Sequence, residues 1–359
     1  MIIKDLTLYN FKNHQEKYFQ FSSQINCFVG DNGVGKTNIL DALHYLSVAK
    51  SFLGNKDVNN IKENTDFFTL EAHVQDDGTE TRIKIQQSKD SKKIVKKNDK
   101  MYDRLADHIG FLPSVIISPY DSNLISDSGE SRRKFLDSMI SQTDSSYLFD
   151  LIQYQKTVQQ RNALLKDFAR NRYFDGESLE IYNEPLMQYG TRIYEKRKDF
   201  TSAIVPLIQD YYHIISNGKE QISVVYETDL NHRSFPDLLR ENFDKDRILT
   251  YTSRGIHKDD LLFEMNGVAM KKTASQGQQK SFLISLKLSQ MNRIKNLTGK
   301  TPILLLDDIF DKLDDSRVAQ LIELVNQEHF GQIFITDTNR ERTEQVVRKI
   351  NEESKIFEL

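Results

Sequence analysis

The chain has 359 residues, a length sufficient for two compact domains. Hydrophobic residues make up 38% of it and charged residues 28%, and no run approaches the ~20 apolar residues of a membrane-spanning helix, so no such helix is expected. The single cysteine, Cys27, excludes a disulfide framework and is expected in a strand core. At a net charge of -3, nucleic acid would have to bind local basic patches. We expect a soluble, cytoplasmic protein without a signal peptide.

Strand-like segments dominate the first third of the chain, interrupted by one helix. Apolar residues alternate or form short runs, which is typical of strands. The predicted strands lie within residues 1–30, 67–97 and 114–117, and the predicted amphipathic helix carries Ile39, Leu40, Ala42, Leu43 and Leu46.

Helical spacing replaces this pattern between residues 125 and 216, which predicts a lobe of several long helices. Strand-like sequence returns at 222–226, and residues 261–269 are typical of a hairpin with an Asn266-Gly267 turn. A helix, a very apolar strand, another helix and a final strand complete the chain.

A phosphate-binding loop is predicted where the first strands give way to the first helix. Residues 30–37 fit the pattern G-x-x-x-x-G-K-[ST] at every fixed position, between an apolar strand and an amphipathic helix. Glycines let successive N–H groups point at phosphate oxygens, and the helix N-terminus adds positive potential. We expect Lys36 to neutralise the β- and γ-phosphates and Thr37 to ligate Mg²⁺. The alternative, a chance glycine-rich turn, is disfavoured by the flanking elements. The predicted nucleotide-binding residues are Gly30, Asp31, Asn32, Gly33, Val34, Gly35, Lys36, Thr37 and Asn38.

Two acids end a strongly apolar strand near the C-terminus. The apolar run 303–306 predicts a strand that is covered on both faces, as in a parallel sheet. We expect Asp307 to bind Mg²⁺ and Asp308 to act as the general base that orients the attacking water. The alternative is an ordinary strand that ends at an acidic turn; the phosphate-binding loop in the same chain favours the Mg²⁺ site.

A second anion site is predicted at the start of a later helix. Ser275 and Gln278 have the spacing of a capping box, which an ordinary helix start would also explain. The small, open terminus around Gly277 is in addition suited to an anion. Because a bound nucleotide already occupies the first loop, this terminus would face a phosphate on another chain. We therefore predict that two copies of the chain close the site, with Ser275 in a catalytic role and Gly277 and Gln278 binding nucleotide.

Together these motifs resemble the ABC-type P-loop ATPase heads, and the large gap between Thr37 and Ser275 resembles the SMC-type branch. Within that branch the chain resembles the RecF family. The resemblance implies an α/β fold in which residues 1–120 and 220–359 form the ATPase head and residues 121–219 form an inserted helical lobe. No heptad run is long enough for the extended coiled coil of a chromosome-organising SMC protein.

Several segments carry this closer resemblance, which spans nearly the whole chain. They are Asn10 to Asn13, Ser131 to Asp137, Gln160 to Lys166 and Gly255 to Leu261. The segment Asp311 to Asp314, after the acidic strand, resembles the ABC-type heads in general. By the same resemblance, Lys12 and Asn13 are assigned to the nucleotide site.

Three positions depart from the ABC pattern. Segment 118–121 stands where ABC heads carry Gln, Asp308 where they carry Glu, and 337–338 where they carry His. The resemblance leaves open the roles of Asp121, Asp337 and Thr338 in sensing the γ-phosphate.

The resemblance to RecF implies an ATP-gated DNA clamp that promotes recombinase loading at single-strand gaps in DNA repair, replication and the SOS response. It implies ATP and Mg²⁺ as cofactors and an ATP-dependent homodimer. The implied partners are DNA in single-stranded, gapped and duplex form, a RecR-like mediator and a recombinase. Hydrolysis is expected to be slow, as in a weak DNA-dependent ATPase. The alternatives are an ABC transporter ATPase subunit, disfavoured by the insertion and the missing His, and a structural SMC-type ATPase.

Two basic segments are the candidates for DNA contact. The lysines of hairpin 89–100 are explained equally well as the protection of an exposed edge strand. The arginines at the start of the helical lobe are explained equally well as a solvated helix face. The predicted DNA-binding residues are Lys92, Lys93, Lys96, Lys97, Arg132, Arg133, Arg161 and Lys166.

A metal site at His257, with Asp259 and Asp260, is a weaker alternative, because no further ligands cluster nearby in the sequence.

Overall fold

The computed structural model describes residues 1–54, 56–308, 324, 331–350 and 354–359. These residues form two compact units, which we describe separately. The first comprises Met1–Ser122, Asp210–Lys219 and Ser275–Leu359, and the second comprises Asn123–Gln209 and Glu220–Ala274. Within the described ranges, no helix is both long enough and apolar enough to cross a bilayer.

Strands and helices alternate as the sequence pattern predicts. The strands are β1 (Ile2–Phe11), β2 (His14–Gln20), β3 (Ile25–Val29), β4 (Phe67–Asp76), β5 (Thr79–Ser88), β6 (Ile94–Lys97), β7 (Lys100–Met101), β8 (Ser114–Ile117), β9 (Ile222–Glu227), β10 (Asp260–Met265), β11 (Val268–Ala269), β12 (Ile303–Asp307), β13 (Ile333–Asp337) and β14 (Lys355–Glu358). The helices are α1 (Lys36–Val48), α2 (Asn123–Ser126), α3 (Gly129–Ser141), α4 (Ser145–Asn171), α5 (Gly176–Ser216), α6 (Phe235–Glu241), α7 (Phe243–Leu249), α8 (Met270–Thr273), α9 (Gln276–Thr298) and α10 (Arg340–Ile350).

A parallel sheet in the order β14-β3-β13-β12-β8 forms the centre of the first unit. Alternate residues of β12 face two different cores, because side chains alternate across a strand. Leu305 packs in one core with Phe28 and Phe334, whereas Leu304 and Leu306 pack in the other. The strand is therefore covered on both faces, which confirms the prediction from its apolar run.

An antiparallel sheet in the order β2-β1-β4-β5-β6-β7 completes the first unit. In β4 and β5 every second residue is buried, as expected for strands with one face on a core. The buried side chains of β4, which include Phe68 and Leu70, share a core with Leu43 and Leu46 of helix α1. The antiparallel strands predicted between 67 and 97 are thus confirmed.

The parallel arrangement also places the polar residues of the predicted nucleotide site. The carboxyl ends of parallel strands meet at one edge of a sheet, where α/β proteins bind ligands. Val29, Asp307 and Asp337 are the last residues of β3, β12 and β13. The glycine-rich loop after β3 and the two acids at the end of β12 therefore meet at the same edge.

The second unit combines helices with a three-stranded antiparallel sheet in the order β11-β10-β9. The predicted hairpin is present, and Asn266 (φ 51°) and Gly267 (φ 76°) have the positive φ values of a type I′ turn. Residues 220–274, which the sequence analysis placed in the head, lie in this unit. Strand β10 pairs with both β9 and β11, so these three strands form a sheet separate from the two sheets of the first unit.

Candidate nucleotide-binding site

The loop between β3 and α1 has the backbone of a phosphate cradle. Gly33 (φ 89°) and Gly35 (φ 105°) adopt positive φ values that favour glycine. Helix α1 begins at Lys36, directly after Gly35, which has no side chain to cap the helix. The first N–H groups of α1 thus remain suited to an anion.

Lys36 lies across this loop and is almost fully buried, at 9% exposure. Its ammonium donates hydrogen bonds to the carbonyl oxygens of Gly30 (2.7 Å) and Asp31 (2.8 Å). The positive charge is therefore already held within the cradle where phosphate charge would need neutralising.

Oxygen ligands suited to a divalent cation meet beside the cradle. The Thr37 hydroxyl donates to Asp307 Oδ1 at 2.9 Å, and the Thr336 hydroxyl donates to the same oxygen at 2.7 Å. Burial raises the pKa of Asp307, while the two hydroxyl bonds act in the opposite direction. Hard oxygen atoms of this kind are what Mg²⁺ prefers, so Thr37 and Asp307 fit the predicted ion. Asp308, the residue after the strand, has a positive φ of 49°, and its N–H donates to Thr336 Oγ1 at 3.1 Å.

A cavity of about 390 Å³ adjoins the cradle and the two acids. Tyr120 and Thr338, from the segments that depart from the ABC pattern, line it. Asp121 instead forms an ion pair with Lys287 at 2.7 Å. Sequence reasoning overlooked Tyr120, although an aromatic residue three positions after the end of a buried strand was a visible signal.

Asp337 is also bound internally. It accepts hydrogen bonds from the Thr343 hydroxyl at 2.6 Å and from Arg342 at 2.8 Å. Of the three candidates for sensing the γ-phosphate, Thr338 is therefore the best placed, because it lines the cavity.

The predicted capping box at the start of α9 is present. Ser275 Oγ accepts from the Gln278 N–H at 3.3 Å, and Gln278 Oε1 accepts from the Ser275 N–H at 2.7 Å. Ser275 is exposed, and the described lining of the 390 Å³ cavity contains neither it nor Gly277. Within one chain the structure therefore does not bring this terminus to the cradle, and its anion-binding role stays a prediction.

Lys12 and Asn13 contact protein groups beside the loop. Lys12 Nζ pairs with the fully buried Asp41 at 2.5 Å, and the described cavity lining does not include Lys12. Asn13 donates to the Val34 carbonyl and accepts from Asn38, which does line the cavity.

Several basic residues predicted to bind DNA are instead bound within the protein. Arg161 is 0% exposed and donates to Asp246 at 2.7 Å. The prediction that it contacts DNA is therefore wrong, because a fully buried guanidinium cannot reach a phosphate. Arg132 forms a bidentate pair with Asp260 (2.7 and 2.8 Å). Arg133 donates to the Asp259 carbonyl at 2.6 Å, and Lys93 pairs with Asp57 at 2.8 Å.

For the remaining cations, DNA contact stays a prediction. Lys92 and Lys166 are exposed, and Lys96 is partly exposed. The Lys97 ammonium lies 4.0 Å from the centre of the Phe111 ring.

Two of the segments that resemble RecF, Ser131 to Asp137 and Gly255 to Leu261, meet in a buried ion-pair network of the second unit. Arg197, at 1% exposure, donates to Asp137 at 2.8 Å and to Asp259 at 2.9 Å. The Tyr226 hydroxyl donates to Asp259 at 2.5 Å. Sequence reasoning missed Arg197, because nothing in its neighbourhood on α5 marks it as different from the surface cations there.

His257 belongs to the same region, and both of its ring nitrogens contact protein groups. Its Nδ1 contacts the Tyr154 hydroxyl at 2.9 Å and its Nε2 contacts the Thr252 carbonyl at 2.9 Å. Across the described residues, no cluster of three or more His, Cys, Asp or Glu side chains could hold an ion.

His257 should make the second unit sensitive to acid. Burial lowers its pKa from 6.5 to about 4. Between these two values the imidazole is protonated in the unfolded chain and neutral in the folded unit. The free energy of unfolding should therefore fall as pH drops from about 6.5 to 4, by roughly 3 kcal/mol. Urea denaturation from pH 7 to 4.5 should show a shallower pH slope for His257→Gln than for the unsubstituted chain. Equal slopes would contradict the buried, neutral imidazole.

The parallel sheet, the cradle at its carboxyl edge and the Thr37–Asp307 pair define an ABC/SMC-type P-loop ATPase head. The family model of the RecF/RecN/SMC N-terminal domain matches residues 2–357. A solved Smc head bound to the C-winged helix domain of ScpA shares the fold, with a TM-score of 0.54 at 15% identity over 95% of this chain and 90% of that one.

Closer relatives are RecF proteins. The DNA replication and repair protein RecF of Flavobacterium johnsoniae is 51% identical over 359 residues, all of both chains. That of Phocaeicola vulgatus is 42% identical over 99% of this chain and 96% of its own. The recombination mediator protein RecF-ATPrS of the RecFOR pathway superposes with a TM-score of 0.88 at 29% identity, covering 99% of this chain and 95% of its own. The chain belongs to the RecF family of DNA replication and repair proteins.

Proposed function

We propose that the chain is an ATP-dependent DNA-binding clamp that promotes recombinase loading at single-strand gaps during DNA repair and replication, including the SOS response. The proposal that the chain binds ATP rests on one observation: the cradle, Lys36 and the Thr37–Asp307 pair lie at one edge of the parallel sheet. Membership of the RecF family supports the DNA part. A cytoplasmic location is consistent with this role.

The chemistry of the cradle follows from its hydrogen bonds. On binding ATP, Lys36 would exchange the carbonyl oxygens of Gly30 and Asp31 for phosphate oxygens, which form stronger, charge-assisted bonds. Thr37 and Asp307 would hold Mg²⁺, which supplies neutralisation of phosphate charge.

Hydrolysis is proposed to be slow. Asp308 would orient the attacking water, but it is one methylene shorter than the Glu of the ABC pattern. Asp337, at the strand end where ABC heads place a His, is engaged by Thr343 and Arg342. Weak positioning of the water costs rate, because phosphoryl transfer depends on placement and charge.

The α9 terminus supports a site shared between two copies. Ser275 is exposed, and Gly277 keeps the helix start open for an anion. We propose that the terminus of one copy caps the ATP held by the loop of the other, forming an ATP-dependent homodimer. The RecFOR pathway of the structural relative supports a RecR-like mediator and a recombinase as further partners.

DNA binding provides the test of this proposal. Two copies together present twice as many cations, which include Lys92, Lys96 and Lys166, so ATP should tighten DNA binding. ATP should also steepen its salt dependence, by about 0.9 in log–log slope for each added phosphate contact on duplex DNA. The measurement is DNA affinity against salt concentration with ATP and with ADP.

The controls separate DNA contact from nucleotide binding. Lys92→Glu combined with Lys96→Glu should flatten the salt dependence of DNA affinity in ATP. Lys17 is an exposed lysine on β2, and Lys17→Glu should have only the smaller effect of a general change in charge. Equal slopes in ATP and ADP for the unsubstituted chain would contradict ATP gating of DNA binding. The pairs Arg132–Asp260 and Arg133–Asp259 make those two arginines unsuitable for this test.

A further inference from the structure

The turn between β1 and β2 packs directly against the phosphate cradle. We call residues 10–14 the bracing turn. Asn13 Nδ2 donates to the Val34 carbonyl at 3.0 Å, and His14 Nε2 lies 3.2 Å from the Gly35 carbonyl. Because a carbonyl oxygen only accepts, Nε2 carries the proton in this contact. Two consecutive peptide groups of the cradle are therefore held from outside by side chains.

Holding a carbonyl also orients the N–H of the same peptide group. In a trans peptide the C=O and N–H bonds point in opposite directions within one plane. The bond from Asn13 to Val34 C=O thus turns the Gly35 N–H towards the phosphate side. The contact from His14 to Gly35 C=O does the same for the Lys36 N–H, together with the helical bonds that this carbonyl accepts from Asn38 and Ile39.

The bracing turn is itself held in place. Asn13 Oδ1 accepts from Asn38 Nδ2 at 2.7 Å, which fixes the side-chain amide so that Nδ2 faces Val34. The Asn13 carbonyl accepts from Lys62 Nζ at 2.8 Å, and the Lys12 N–H donates to the Asn60 carbonyl at 2.8 Å. His14 is 5% exposed, so water competes little for its contact.

Close packing at Gly35 shows how tightly the turn meets the loop. A Cβ atom at Gly35 would lie 2.5 Å from Asn13 Nδ2 and 2.6 Å from His14 Nε2. Gly35 is thus required by the bracing side chains as well as by its φ of 105°.

We propose that Asn13 and His14 are positioning residues that set the cradle N–H groups for nucleotide phosphate without touching the nucleotide themselves. This inference rests on the proposed function, because it presupposes that the cradle binds ATP. It also revises the assignment of Asn13 from a nucleotide contact to a support of the loop.

The experiment compares nucleotide affinities of full-length variants by calorimetry. Asn13→Ala should weaken ATP and ADP by the same factor, about five- to tenfold, as expected for one lost neutral hydrogen bond. Equal factors are expected because the braced N–H groups belong to the loop that holds the phosphates common to both nucleotides. The matched control is Asn64→Ala, another exposed asparagine in the first unit.

His14 allows a rescue test. His14→Phe keeps a ring but removes the donor and should weaken both nucleotides, whereas His14→Gln keeps an N–H donor and should retain most of the affinity. Thermal unfolding without nucleotide shows whether the buried substitution affects folding; if His14→Phe does not fold, the exposed Asn13→Ala decides alone.

The nucleotide affinities distinguish a failure of this inference from a failure of the proposed function. Unchanged affinities in Asn13→Ala would overturn the inference, and so would a loss confined to ATP, since that indicates a direct γ-phosphate contact. If the unsubstituted chain bound neither nucleotide, the proposed function itself would be wrong, which is a distinguishable outcome.

Discussion

Lys36→Ala is expected to weaken ATP binding by about 10- to 100-fold, the range covered by charge-assisted hydrogen bonds to phosphate. The ammonium is already desolvated within the cradle and bound to two loop carbonyls, so its transfer to phosphate needs little reorganisation. Calorimetric titration of ATP into the variant and the unsubstituted chain provides the measurement.

Lys17→Ala is the matched control for this substitution, because Lys17 is an exposed lysine on β2. It should leave ATP affinity unchanged. The hydrogen bonds to Gly30 and Asp31 also support the empty loop, so thermal unfolding without nucleotide should accompany the titration. ATP affinity within a factor of two of the unsubstituted chain would contradict the role assigned to Lys36.

Arg197→Met is expected to lower the free energy of unfolding of the second unit by about 3–5 kcal/mol. Removing the guanidinium leaves Asp137 and Asp259 without the cation that compensates their buried charge. The measurement is native-state hydrogen exchange of peptides from α4 in the full chain, which reports opening of this unit.

Arg170→Met is the control, since it is the same substitution in the same unit, on α4. Arg170 pairs with Asp167, and both side chains are largely exposed, at 78% and 46%, so a loss below about 1 kcal/mol is expected. Equal losses for both variants would show that the buried network does not stabilise the unit beyond an ordinary surface pair.

The sequence alone predicted the parts of the fold and site that depend on local pattern. The apolar runs of β3 and β12, the glycines of the cradle and the capping box at Ser275 are each encoded within a few neighbouring residues, and each is present. The antiparallel strands before residue 98 followed from their alternation in the same way.

Partners distant in the chain were not predictable in this way. Arg161 and Arg132 looked like surface cations, because their carboxylate partners Asp246 and Asp260 lie 85 and 128 residues away. A basic residue on a helix has the same local pattern whether it faces solvent or a buried acid. The placement of β9 in the second unit escaped prediction for a related reason: strand pairing is decided between distant segments.

The segment Asp311 to Asp314 lies outside the described residues, so its resemblance to ABC heads stays a prediction.

Mixing two inactive variants tests the central claim, that ATP binds between the loop of one copy and the α9 terminus of another. Ser275→Arg should bind ATP yet remain monomeric, because its larger side chain obstructs the terminus, and Lys36→Ala should remain monomeric because it binds ATP poorly. A mixed pair restores one intact site, formed by the loop of the Ser275→Arg chain and the Ser275 terminus of the Lys36→Ala chain. Molar mass by light scattering in ATP should therefore show a dimer in the mixture but not in either variant alone. A mixture that stays monomeric while the unsubstituted chain dimerises, or dimers that form without ATP in both variants, would contradict the shared site.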